Sequence, residues 1–183
     1  MRRTGICNVI CGMISVNHFR AAGRYESNRK LPLKGKCSIN IDREDYTMIR
    51  PIVKDILFLS QKSEPATASD LQTAQDLRDT LAAHREECVG MAANMIGERK
   101  RMIIVSMGMM DLVMLNPDIL ERRGEYEAEE GCLSLTGTRK TRRFQTIRVR
   151  FQDTEMKEHT QEFTGWTAEI IQHECDHLEG KII

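Results

Sequence analysis

From Met48 onward, apolar and polar positions alternate in patterns that assign one element after another. Ile49, Ile52, Val53, Ile56, Leu57 and Leu59 form an apolar opening segment, closed by Ser63-Glu64-Pro65. A helix is predicted from Ser69, with Ser69 and Gln72 at capping-box spacing and Leu71, Ala74, Leu77 and Leu81 along one face. It closes on Arg85-Glu86-Glu87. Met102-Ile103-Ile104-Val105 reads as a buried strand, 108–111 as a turn, and Leu112-Val113-Met114-Leu115 as its neighbour, ended by Asn116-Pro117. Residues 119–126 continue extended toward Glu129. Ile147-Arg148-Val149-Arg150-Phe151 alternates as a half-buried strand does, 152–157 makes a turn, and 159–163 is the return strand. A final helix follows Thr164-Gly165, carries Ile170, Ile171 and Leu178, and ends at Gly180. These elements predict an α+β domain over 48–183, with short antiparallel sheets packed around one central helix.

Residues 1–47 follow no such period and are expected to be an N-terminal extension, disordered or not native. Up to Lys36 the only acid is Glu26, among many arginines and lysines. An organellar transit peptide has that composition, whereas a secretory signal would be interrupted at Asn8 and Ser15. The third reading makes Met48 the true start.

Acids and bases balance at 27 each, so no strong field draws the chain to nucleic acid or membrane. No apolar run reaches membrane-spanning length. Six cysteines do not suggest a disulfide framework when two fall inside chemical motifs, and a reducing cytoplasm is the natural reading. The methionines between 102 and 114 read as core filler or loop.

The candidate chemistry lies near the C-terminus, in Gln172-His173-Glu174-Cys175-Asp176-His177. Residues four apart on a helix share a face, so His173 and His177 present two imidazoles to one point, with Glu174 at its edge. Two neutral imidazoles bind a transition metal, and an adjacent carboxylate takes a proton from water. The third ligand must come from elsewhere; Cys132, in Glu129-Glu130-Gly131-Cys132-Leu133-Ser134, is the best candidate. A thiolate and two imidazoles leave one position open, as a catalytic site requires. The donor set suits zinc, iron, cobalt or nickel.

Glu130-Gly131-Cys132-Leu133-Ser134 followed by His173-Glu174-Cys175-Asp176-His177 resembles the paired signature of the peptide deformylases. A third motif of that family, Gly-x-Gly-hydrophobic-Ala-Ala-x-Gln, has a partial match in Cys88-Val89-Gly90-Met91-Ala92-Ala93-Asn94-Met95. The resemblance runs from about Met48 to Ile183. It implies one divalent ion held by Cys132, His173 and His177: Fe(II), with Zn(II) or Ni(II) as alternatives. It implies Glu174 as the proton carrier and the Leu133 backbone N–H as a partner of the developing oxyanion. The substrate is an N-formylmethionyl peptide or nascent chain, bound along Gly90, Met91, Met95 and Ile170, with a transient ribosome contact as a further implication. The enzyme so implied is cytoplasmic, or organellar if the extension is a real transit peptide.

Met95 departs from the family pattern, because methionine has no donor where glutamine offers an amide to the formyl oxygen. Asn94 supplies an amide there only if its loop shifts. Trp166 and Glu169 are bulkier or more polar than a methionine pocket wants, which implies an altered peptide preference. Arg139, Lys140, Arg142, Arg143, Arg148 and Arg150 read as a solvated strand face or a ribosome-facing patch, with Arg139 or Arg143 as partner of Glu130. Two other classes stay open: a deformylase-like metal-binding protein with little activity, and a metalloprotease, which the Cys132 context disfavours.

Overall fold

Five strands pair antiparallel in strict chain order. They are β1 (Gly90–Ala92), β2 (Met102–Ser106), β3 (Asp111–Gly131), β4 (Thr138–Gln152) and β5 (Glu158–Thr164). The computed structural model describes residues 47–183, so the extension expected over 1–47 lies outside the described residues save for Thr47. Three helices complete the order: α1 (Ile56–Leu59), α2 (Leu71–Ala83) and α3 (Gly165–Leu178).

β2 is apolar on both faces and fully buried over Met102, Ile103, Ile104 and Val105, as its continuous apolar run requires. β3 does not end at Asn116-Pro117, as the sequence suggests. Asn116 takes a positive φ of 52°, the register breaks between Leu115 and Asp118, and pairing with β4 resumes. The Asn116 side chain stabilises the break: it accepts from Ala66 N–H and donates to Ala66 O and Gln152 Oε1. The outer part of the β3–β4 ribbon is exposed, and its strands face each other with opposite charge. Glu127 meets Lys140, Glu125 meets Arg142, Glu121 meets Arg148 and Asp118 meets Arg150. Most of the basic stretch is therefore a solvated strand face with cross-strand partners, whose exposed pairs are screened by solvent and add little to stability.

The helix after the opening segment starts later than its sequence suggests. Thr67 and Asp70 form the cap: the Thr67 N–H and hydroxyl both donate to Asp70 Oδ2 at 2.8 Å. One 3-10 turn over Ala68–Asp70 then leads into α2 at Leu71, so Ser69 and Gln72 are not the capping pair. The opening segment is less buried than its composition promises. Only Leu59 is fully enclosed, whereas Ile49, Ile56 and Leu57 stand in solvent. α1 is a single turn capped by Asp55.

α3 is buried nearly all round, with Ala168, Ile170, Ile171 and Leu178 in the core beside Met91, Ile103 and Ile147. Gln172 docks it edge-on to β4, accepting from Phe144 N–H at 3.0 Å and donating to Phe144 O at 2.9 Å. Gly180 follows with φ +72°, where a Cβ would lie 2.3 Å from Ser60 O, so only glycine lets the chain pass. No described helix is long and apolar enough to cross a membrane.

Candidate metal centre and active site

The last residue of β3 is Gly131, and the next, Cys132, turns its sulfur toward α3. Cys132 Sγ lies 3.2 Å from His177 Nε2, which lies 3.2 Å from His173 Nε2. The three ligand atoms fall within 4.8 Å of one another, and all three residues are buried. Donor atoms turned on one another at this range share either a proton or a cation. Metal–nitrogen bonds of about 2.05 Å at a tetrahedral angle separate the nitrogens by about 3.3 Å, and a metal–sulfur bond of about 2.3 Å puts sulfur about 3.6 Å from a nitrogen. The observed spacings are close to those edges, so the residues present fit a divalent ion.

Behind the ligands stands a buried chain of charge. His173 Nδ1 meets Glu130 Oε2 at 2.8 Å, which fixes the ring and leaves Nε2 for the metal. Arg143 donates to both oxygens of Glu130, through Nε at 2.7 Å and a terminal nitrogen at 2.8 Å. Its other terminal nitrogen reaches Asp176 at 2.6 Å, and Lys181 meets Asp176 from the solvent side. Of the two arginines the sequence offers to Glu130, Arg143 makes the bond, and Asp176 serves Arg143 and not the metal. Burial works against ionisation of Glu130, but the bonds from His173 and Arg143 outweigh it and hold its carboxyl below the usual range.

Glu174 is enclosed on α3, one residue after His173, and its Oε2 is buried with no hydrogen-bond partner. Gly90 makes room for it: a Cβ there would lie 2.7 Å from Glu174 Oε1 and 2.5 Å from Ile170 Cγ2. Burial raises the Glu174 carboxyl well above its ordinary value, with Cys88 and Glu130 adding to the shift. Burial also pushes the Cys132 thiol up to about 12, reinforced by Glu174, and draws His177 down to about 3. In this environment His177 is a neutral ligand and Cys132 must shed its proton to become one.

Met91 and Met95 are both buried. Met95 sits in the 3-10 turn Ala93–Ile96 that follows β1, with its sulfur 3.5 Å from Ala92 N–H. Asn94 is committed elsewhere, donating to His177 O at 2.8 Å. Leu133 is half-buried, one residue past the ligating sulfur. Trp166 is exposed at 39% relative area. Glu169 faces inward and accepts a hydrogen bond from the Tyr126 hydroxyl.

The sequence does not announce the Tyr126–Glu169 pair or the Asn94–His177 bond. The first had a signal, an acid one helical turn before His173 on the buried face. The second had none, because it joins a loop to a helix backbone 83 residues away.

Residues 49–183 match the family model described as polypeptide deformylase. A peptide deformylase of Clostridium beijerinckii is 55% identical over 136 residues, spanning 74% of this chain and all of that protein. Among solved structures, a class I type b peptide deformylase from Acinetobacter baumannii with Met-Ala-Ser bound superimposes with a TM-score of 0.67 at 30% identity. It covers 73% of this chain and 96% of its own. A peptide deformylase from Legionella pneumophila gives 0.67 at 34% identity, covering 73% of this chain and 83% of its own.

Proposed function

Since this chain belongs to the polypeptide deformylase family, we propose that Cys132, His173 and His177 hold its divalent cation and that Glu174 moves the proton of its reaction. The reaction is removal of the N-formyl group from the N-terminal methionine of newly made polypeptides: water and a formamide give formate and a free amine. The observation that carries this assignment is the buried, unpartnered Oε2 of Glu174 beside three converging ligand atoms.

A cation bound there supplies Lewis acidity, polarising a carbonyl and making water a stronger acid. Glu174 accepts a proton from the attacking water and hands it to the amine as the carbon–nitrogen bond breaks. A carboxyl raised by its surroundings suits both halves of that exchange. The Leu133 N–H donates to the formyl oxygen as negative charge develops on it. Gly90, Met91, Met95 and Ile170 form the wall that holds the methionine, with Gly90 small enough to leave the Glu174 carboxylate in place. Fe(II) is the cation we assign, with Zn(II) or Ni(II) as replacements. The nascent chain in the cytoplasm is the source of substrate, met in transient contact with the ribosome.

The test is formate release from formyl-Met-Ala-Ser by anaerobically prepared, iron-loaded protein. Glu174→Ala is expected to keep its metal and to turn over about a hundredfold to ten-thousandfold more slowly. A wild-type protein that releases no formate refutes the activity. A variant that loses its metal refutes the role of Glu174.

A further inference from the structure

Asn94 is the one amide side chain in the segment from Cys88 to Met95, and none of it reaches solvent. It sits in the 3-10 turn Ala93–Ile96 that follows β1. Backbone bonds hold that turn on two sides: Val53 N–H donates to Met95 O at 2.8 Å, and Glu98 N–H donates to Ala93 O at 3.0 Å. From this fixed base the Asn94 amide reaches α3 and donates to His177 O at 2.8 Å. The carbonyl it meets belongs to a metal-ligating residue.

The place of that carbonyl in the helix gives the bond its importance. His177 is the penultimate residue of α3, in the last turn, where carbonyls lack partners along an ordinary helix. Gly180 N–H supplies one bond to His177 O at 3.1 Å, and Ser63 N–H closes the next carbonyl, Leu178 O, at 2.9 Å. Asn94 adds a donor from a part of the chain 83 residues away. The two ligand imidazoles are thus braced differently. His173 is held at its ring, where Glu130 meets Nδ1 at 2.8 Å. His177 is held at its backbone, so the place of its Nε2 depends on how the end of α3 is seated. A ligand displaced by more than about 0.5 Å leaves productive geometry.

We infer that Asn94 is a positioning residue for the metal: by fixing the His177 carbonyl it keeps Nε2 at 3.2 Å from both Cys132 Sγ and His173 Nε2. The inference rests on the metal site proposed above and deepens it. Linkage makes the effect mutual. A bond that favours the metal-ready ligand is itself strengthened by the metal, by the same factor.

The experiment uses the full chain loaded with Zn(II) or Co(II). Asn94→Leu, which nearly keeps the volume and removes the amide, is expected to weaken Zn(II) binding about tenfold in chelator competition. It is also expected to shift the visible absorption of the Co(II) form. Thr80→Val on α2, at a position just as buried, is the control. It is expected to lower the denaturation midpoint while metal affinity and the Co(II) spectrum stay as in wild type. In wild type, exchange of the Asn94 side-chain amide protons is expected to slow about tenfold on Zn(II) loading, the reciprocal of the affinity change. That measurement decides the matter even if Asn94→Leu does not fold. Wild-type affinity and spectrum in Asn94→Leu, an equal loss in Thr80→Val, or amide exchange indifferent to Zn(II) would each overturn the role of Asn94 and leave the metal site standing. A wild-type protein that binds neither ion removes the metal site and the role of Asn94 together.

Discussion

At position 95 a thioether stands where the family motif has an amide, and the structure shows what that exchange removes. The Met95 sulfur accepts from Ala92 N–H and has no donor to offer, and the neighbouring Asn94 amide donates to His177 O. One missing oxyanion donor typically slows turnover by about a hundredfold to a thousandfold. Met95→Gln is expected to raise kcat on formyl-Met-Ala-Ser by about a hundredfold with KM little changed; an unaltered kcat would mean the oxyanion is already satisfied without it. At this scale the sequence was informative wherever chemistry demands a residue type at a set spacing. His173, Glu174 and His177 are readable because a helix repeats, and Cys132 because a thiolate after a glycine suits a metal. The choice between Arg139 and Arg143 was not readable, because it depends on which residues of β4 face α3.

Among elements, the β3–β4 ribbon and α3 are joined through one buried guanidinium. Arg143 faces Tyr126 across the ribbon, and the two grip α3 at different points, Tyr126 at Glu169 and Arg143 at Asp176. Removing the cation while leaving Glu130 enclosed strands a buried charge, at a cost of about 3–5 kcal/mol. Arg143→Leu is therefore expected to lower the denaturation midpoint and to weaken metal binding about tenfold to a hundredfold, measured by chelator competition. A variant with wild-type metal affinity would show that Glu130 orients His173 without help. Strand positions were largely legible from alternation, but the continuation of β3 past Asn116-Pro117 was not. The Asn116 side chain satisfies the broken ladder through partners 50 and 36 residues away, and no local pattern announces that. The α2 cap differs from the expected one for a smaller reason: both Thr67 and Ser69 are cap-forming types, and the carboxylate of Asp70 decides between them.

For the whole molecule, the cation is a link between distant parts of the chain, and its uptake is coupled to protons. Burial holds the Cys132 thiol up to about 12 and His177 down to about 3, so binding must displace the thiol proton but none from His177. Raising pH enlarges the thiolate fraction and favours the bound form. Affinity is expected to strengthen about tenfold per pH unit across about pH 6–9, measured by competition with a chelator of known proton dependence. A flat profile would mean that the sulfur is already ionised before the metal arrives.

Because each strand pairs with the next in the chain, the sheet closes through near neighbours, and such pairing forms early and fast. The centre is of the opposite kind: Cys132 meets His177 across 45 residues, and Asn94 meets it across 83. A protein with its sheet complete but its terminal helix not yet seated would hold no ion at all. Two of the three ligand atoms arrive on that helix, so retention of a bound metal during refolding would report when the last element has docked.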